Sequence, residues 1–234
     1  MLFPQTIIDE IKLCAHWADR LIRSELIAGV IVSENDYTSN FTGALRREIN
    51  SRSIPGLNAR IQVLNPRAER RIGADACIIL QSDKELKAAV FEGKWPRLST
   101  HVNYWDSLQK GSGISHFDSQ LDRQALQGAY LAAWEMFYSE EPFCSGTNHM
   151  PDFGSACVWH AEAAAVSGTR TRTLPWSDTE LLFLLAKNTL KIEDIFQAIC
   201  ECSKGEKLPL SDIRKAFGDL GLPRKALVIS YAQD

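Results

Sequence analysis

Two short apolar runs restrict the fold of this chain more than any other feature. Ala76-Cys77-Ile78-Ile79-Leu80 and Ala88-Ala89-Val90-Phe91 are separated by the polar stretch Gln81 to Lys87. Each has the length of a strand and a turn-like segment lies between them, so the spacing predicts a β-hairpin. The centres of the runs set its register, because paired positions then sum to 167 or 168 and Asp75 faces residues 92 and 93. Glu92 and Lys94 are two apart and project from one face, while Gly93 between them leaves room for close approach. Two acids and a lysine, distant in sequence, are thereby predicted at one end of a hairpin.

Carboxylates held together repel one another and raise their own pKa values, which is costly unless a cation neutralises them. A hard divalent ion answers that need, and oxygen donors select Mg2+ or Mn2+ over zinc. Without such an ion the same residues reduce to a salt bridge of Lys94 with one acid, since Glu-Xaa-Lys alone is common.

Around the hairpin, residues 5–28 carry Ile8, Ile11, Ala15, Ala18, Leu21 and Ile22 at helical spacing, which predicts an amphipathic bracing helix. Tyr37, Phe41, Leu45 and Ile49 recur every fourth residue and predict a second helix over 35–50, ended by Pro55 and Gly56. Residues 59–64 alternate as a half-buried strand does. A long helix is expected over Ser115 to Tyr138 and a strand over 155–166. Ser177 with Glu180 forms a capping-box pattern, 191–203 and a segment from Ser211 read as helical, and 226–231 reads as a short strand.

Net charge is −3 overall, but residues 40–100 carry eleven basic and six acidic side chains. The excess is arginine, at positions 46, 47, 52, 60, 67, 70 and 71, the side chain whose planar fork suits phosphate oxygens. Six scattered cysteines suit reduced thiols. No run approaches the roughly 18 to 20 apolar residues that span a bilayer, and the N-terminus lacks a secretory pattern. A cytoplasmic protein without a membrane partner is expected.

Gly73-Ala74-Asp75, an apolar strand and then Val90-Phe91-Glu92-Gly93-Lys94 resemble the PD-(D/E)xK superfamily of restriction-endonuclease-like nucleases, over roughly residues 30–165. Ala74 stands where the motif names a proline. The resemblance implies an α/β fold, with a central mixed sheet flanked by helices in the order helix, strand, hairpin, helix, strand. It divides the chain into a bracing helix (1–30), a nuclease core (31–166) and a C-terminal helical extension packed on it (167–234). It further implies that Asp75 and Glu92 bind Mg2+ or Mn2+ and that Lys94 orients the attacking water. An acid of the preceding helix often completes such a site. Glu34 and Glu48 compete for that place, and Glu34 aligns better, with Tyr37 and Phe41.

Some relatives of this kind carry Gln-xxx-Tyr on the following helix. Here Gln120 and Gln124 lie there, one helical turn apart, without the tyrosine, and are candidates to hold a water or a phosphate oxygen. His116 reads as a loop or capping residue. Arg46, Arg47 and Arg71, with Gln124, are candidate nucleic-acid contacts. DNA is the expected partner, with a second copy of the chain or other subunits of a bacterial restriction or phage-defence system as further candidates. A nucleic-acid-binding or assembly subunit without turnover, and a hydrolase of small phosphoesters, are the alternatives. A second group, Cys144, His149, Cys157 and His160, has ligand types zinc accepts but no compact zinc-finger spacing.

Overall fold

The computed structural model describes residues 1–64, 74–97, 103–126, 129–140 and 154–232. Their frame is a mixed seven-stranded sheet with helices on both faces, an α/β architecture. In chain order the elements are α1 (Gln5–Ile27), α2 (Glu34–Ser51), β1 (Leu57–Val63), β2 (Ala76–Gln81), β3 (Glu85–Lys94), α3 (His116–Gln124), β4 (Leu131–Phe137) and β5 (Ala156–Trp159). There follow α4 (His160–Ser167), α5 (Asp178–Asn188), α6 (Ile192–Cys200), β6 (Leu208–Pro209), α7 (Ile213–Phe217) and β7 (Lys225–Tyr231), with 3-10 turns on either side of α7.

The strands lie in the order β1-β7-β2-β3-β4-β5, and β6 adds to β3. β7 is antiparallel to β1 and parallel to β2, β3 is antiparallel to β2 and parallel to β4, and β5 is antiparallel to β4. On one face α1, α2 and α6 bury Ile8, Ile11, Phe41, Leu45, Ile195 and Phe196 against Phe91, Trp134 and Ile229. The other face holds two smaller groups. One gathers Ile79, Val90, Ala133, Phe217 and Val228, the other Phe117, Leu121, Phe137, Val158, Leu184 and Trp176.

The hairpin forms in the register its sequence predicts, with Ala76 opposite Phe91 and Ile78 opposite Ala89. Both strands are buried on both faces, which is why their sequences are continuous apolar runs. α2 starts where expected, with Ser33 accepting a hydrogen bond from the Asp36 N–H at 3.1 Å and Glu34 and Asp36 in its first turn.

Three expectations are corrected. The long helix over 115–138 is a short helix followed by a strand. Every residue of β4 is buried, so its apolar run belongs to a strand parallel to β3 and covered on both faces, and the three- and four-residue spacing of Leu121, Ala125, Gly128, Ala132 and Met136 imitated a helix. The strand over 155–166 ends at Trp159, where the helix-forming Ala-Glu-Ala-Ala-Ala stretch begins α4. The C-terminal extension is not only helical, for β7 sits inside the sheet between β1 and β2. A boundary at residue 166 therefore cuts through one continuous sheet.

Candidate active site

Asp75 closes the hairpin ladder, its N–H donating to the Phe91 carbonyl at 2.9 Å. Its Oδ2 accepts the Gly93 N–H at 2.8 Å. A Cβ on residue 93 would meet Thr38 Oγ1 at 2.8 Å and Asp75 Oδ2 at 3.3 Å, so glycine is what lets the acid and α2 close over the strand. Glu92 and Lys94, buried on the opposite face of β3 from Phe91, form an ion pair with Nζ 2.8 Å from Oε1. Gln120 of α3 donates to the same Oε1. Glu34, at the start of α2, accepts the Trp95 N–H at 2.9 Å.

Electrostatics tie these groups into one cluster. Burial pushes the Glu92 carboxyl up to about 8; Lys94 opposes this and Asp75 and Glu135 add to it. Asp75 lies at the rim, but its carboxyl is turned inward onto the Gly93 N–H; desolvation raises it, against Lys94 and that N–H and with Glu34 and Glu135. Burial pulls the Lys94 ammonium down, but Glu92, Glu34 and Asp75 together outweigh it and the net direction is up. Tyr138, stacked on Tyr37 at 3.6 Å between ring centres, is raised by burial and by Glu34, Asp75 and Glu92.

The other predicted residues separate clearly. Glu48 belongs to the surroundings of Cys14 and Arg52 under α1, so Glu34 is the acid of α2 that reaches the cluster. Gln124 is buried on α3. Arg46 and Arg47 sit toward the far end of α2, about 18 Å along the axis from Glu34 at 1.5 Å per residue. The structure therefore does not bring them to the cluster, whereas Arg71, Arg67 and Arg70 lie outside the described residues. Arg52 is engaged with Glu10 at 2.9 Å. His116 is exposed at the start of α3. Of the second group, Cys144 and His149 lie outside the described residues, and Cys157 is buried in the sheet.

Glu135 lies in the segment whose spacing predicts a helix, so the sequence does not mark it as a neighbour of Glu92. In β4 it pairs in register with Glu92, which continues the row Asp75, Glu92, Glu135 across three adjacent strands. It is fully buried, and neither carboxylate oxygen has a hydrogen-bond partner. Among the described residues no three His, Cys, Asp or Glu side chains are grouped as a ready-made metal site. Lys94 and Gln120 instead converge on Glu92. The donor set nevertheless suits a hard divalent cation, because Asp75, Glu92 and Glu34 face one lysine and Glu135, beside Glu92, has two unsatisfied oxygens.

Among the described residues no helix is long and apolar enough to cross a membrane. Searches of family models, curated proteins and solved structures find no match to this chain.

Proposed function

We propose that this chain is a metal-dependent endonuclease of the restriction-endonuclease-like type that hydrolyses DNA phosphodiester bonds. The observation that carries the reading is the convergence of Asp75, Glu92 and Lys94 at one end of the β2–β3 hairpin, with Gln120 on Glu92. The order α2, β1, hairpin, α3, β4 supports it, being the helix, strand, hairpin, helix, strand order of the resemblance.

Mg2+ or Mn2+ held by Asp75 and Glu92, with Glu34 nearby, would supply a positive charge that polarises the phosphate and eases loss of a proton from water. Lys94, paired with Glu92 at 2.8 Å, would orient the attacking water and offset charge developing on the phosphoryl oxygens. Gln120 keeps the Glu92 carboxylate aimed at the site. In the balanced reaction the water oxygen bonds to phosphorus, one phosphorus–oxygen ester bond breaks, and the departing oxygen takes up a proton. Bacterial restriction or phage defence is the setting the resemblance suggests.

A second reading, a nucleic-acid-binding or assembly subunit without turnover, is favoured by one observation. Lys94 and Gln120 close on Glu92, and among the described residues no three His, Cys, Asp or Glu side chains are grouped as a metal site. Incubation of plasmid with Mg2+ or with EDTA decides between them. A nuclease cuts only with Mg2+, and a Lys94→Ala protein still binds DNA without cutting it; a purified wild-type protein that binds DNA and never cuts it supports the second reading.

A further inference from the structure

Beyond Glu92 the carboxylate row ends on a histidine. His160 opens α4 directly after β5, the strand paired to β4 on its far side, and is 5% exposed. Its Nδ1 has no hydrogen-bond partner and stands 3.6 Å from Glu135 Oε1, too far for a hydrogen bond. Two buried side chains thus present three unsatisfied atoms, one nitrogen and two oxygens, beside a third acid, Glu92. Buried polar atoms are ordinarily paired, so three at one place call for an occupant.

We propose that Glu135 and His160, together with Glu92, hold a divalent transition-metal ion of the Mn2+ kind, set deeper in the sheet than the exposed Asp75. This rests on the reading of the carboxylate row as a cation site and adds to it two ligands and an ion preference. Mg2+ takes oxygen ligands, whereas an imidazole nitrogen improves a site for first-row transition ions. The mixed set therefore favours Mn2+ over Mg2+.

The test uses the full chain stripped of metal and titrated with Mn2+, with binding followed by electron paramagnetic resonance. The bound ion is expected to show nitrogen coupling from an imidazole, lost in His160→Gln. Glu135→Gln and His160→Gln should each weaken Mn2+ binding by about tenfold or more. His160→Gln should also narrow the preference for Mn2+ over Mg2+. Bound Mn2+ without nitrogen coupling in the wild type overturns the proposal whether or not the variants fold. Folded variants with unchanged Mn2+ affinity also overturn it, leaving Glu135 and His160 plain buried neighbours. Plasmid cleavage measured alongside separates the two readings. Cutting without nitrogen coupling defeats this inference alone, and nitrogen coupling without cutting defeats the nuclease reading alone.

Discussion

At the scale of single residues, the acids of the cluster are held together at a cost in stability. Asp75 faces other acids, and Asn keeps an oxygen to accept the Gly93 N–H while removing the charge. Asp75→Asn is therefore expected to abolish cleavage while its melting temperature is no lower than wild type, read by calorimetry beside a plasmid assay. Gly93→Ala should do the reverse of a neutral change. Its methyl group meets Thr38 and Asp75, so a loss of about 1–3 kcal/mol in denaturant unfolding should accompany impaired cutting. Lys87 offers a test remote from the site. It is fully buried, and Nζ donates to the carbonyls of Lys204 and Gly205 at 2.6 and 2.7 Å, just past the end of α6. Burial pulls its pKa below the usual lysine range, against the raising influence of Cys202 and Cys200 and with help from Lys207. The unfolded chain thus holds that proton more tightly, and unfolding free energy should rise with pH between the lowered and ordinary values. Lys87→Met should lose that rise and be less stable at neutral pH, as parallel denaturation series would show. Asp75, Glu92 and Lys94 were legible in the sequence because side chains alternate strictly along strands, so two apolar runs fix a register. Glu135 was not, since nothing local distinguishes an alanine-rich buried strand from a helix.

At the scale of elements, α1 is more than a cover for the sheet. Asp19, buried on it, accepts hydrogen bonds from the Ser155 N–H at 2.7 Å, the Ser155 hydroxyl at 2.5 Å and the Tyr37 hydroxyl at 3.2 Å. Arg23 Nε donates to the Ser139 carbonyl at 2.9 Å. The helix thereby fastens the chain just after β4 and just before β5, at the end of the sheet where Tyr138 meets the acid cluster. The Tyr37 and Ser155 hydroxyls also bond each other at 3.0 Å, so Asp19→Ala strands the Ser155 N–H and one hydroxyl, at a cost of about 1–3 kcal/mol for each such group. Faster amide exchange is expected in residues 154–159 than in α5, and an unchanged exchange pattern would contradict the fastening role. The amphipathic stripe of α1 was legible, but the two polar anchors within it were not, because their partners lie more than a hundred residues away. The capping box at Ser177 needed no such distant partner and formed as its sequence predicts.

At the scale of the molecule, the strand that closes the sequence completes the interior of the sheet. β7 separates β1 from β2, and Gly56 at φ +75° lets the turn before β1 pass its end, where a Cβ would lie 2.0 Å from the Ala232 carbonyl oxygen. A chain cut after residue 224 should leave two unpaired strand edges and fail to fold, seen as loss of the native circular dichroism and rapid proteolysis. A stable truncated core would contradict this. The strand at 226–231 is legible in the sequence but its place between β1 and β2 is not, because pairing order between distant strands leaves no local signal. In the proposed chemistry the acid row and Lys94 work with a cation. The most direct measurement is cleavage of plasmid by the purified chain with Mg2+ or Mn2+ against EDTA, wild type beside a folded Lys94→Ala. Metal-dependent cutting that vanishes in the variant is the predicted result; no cutting by the wild type with either ion, or equal cutting by both proteins, would contradict it.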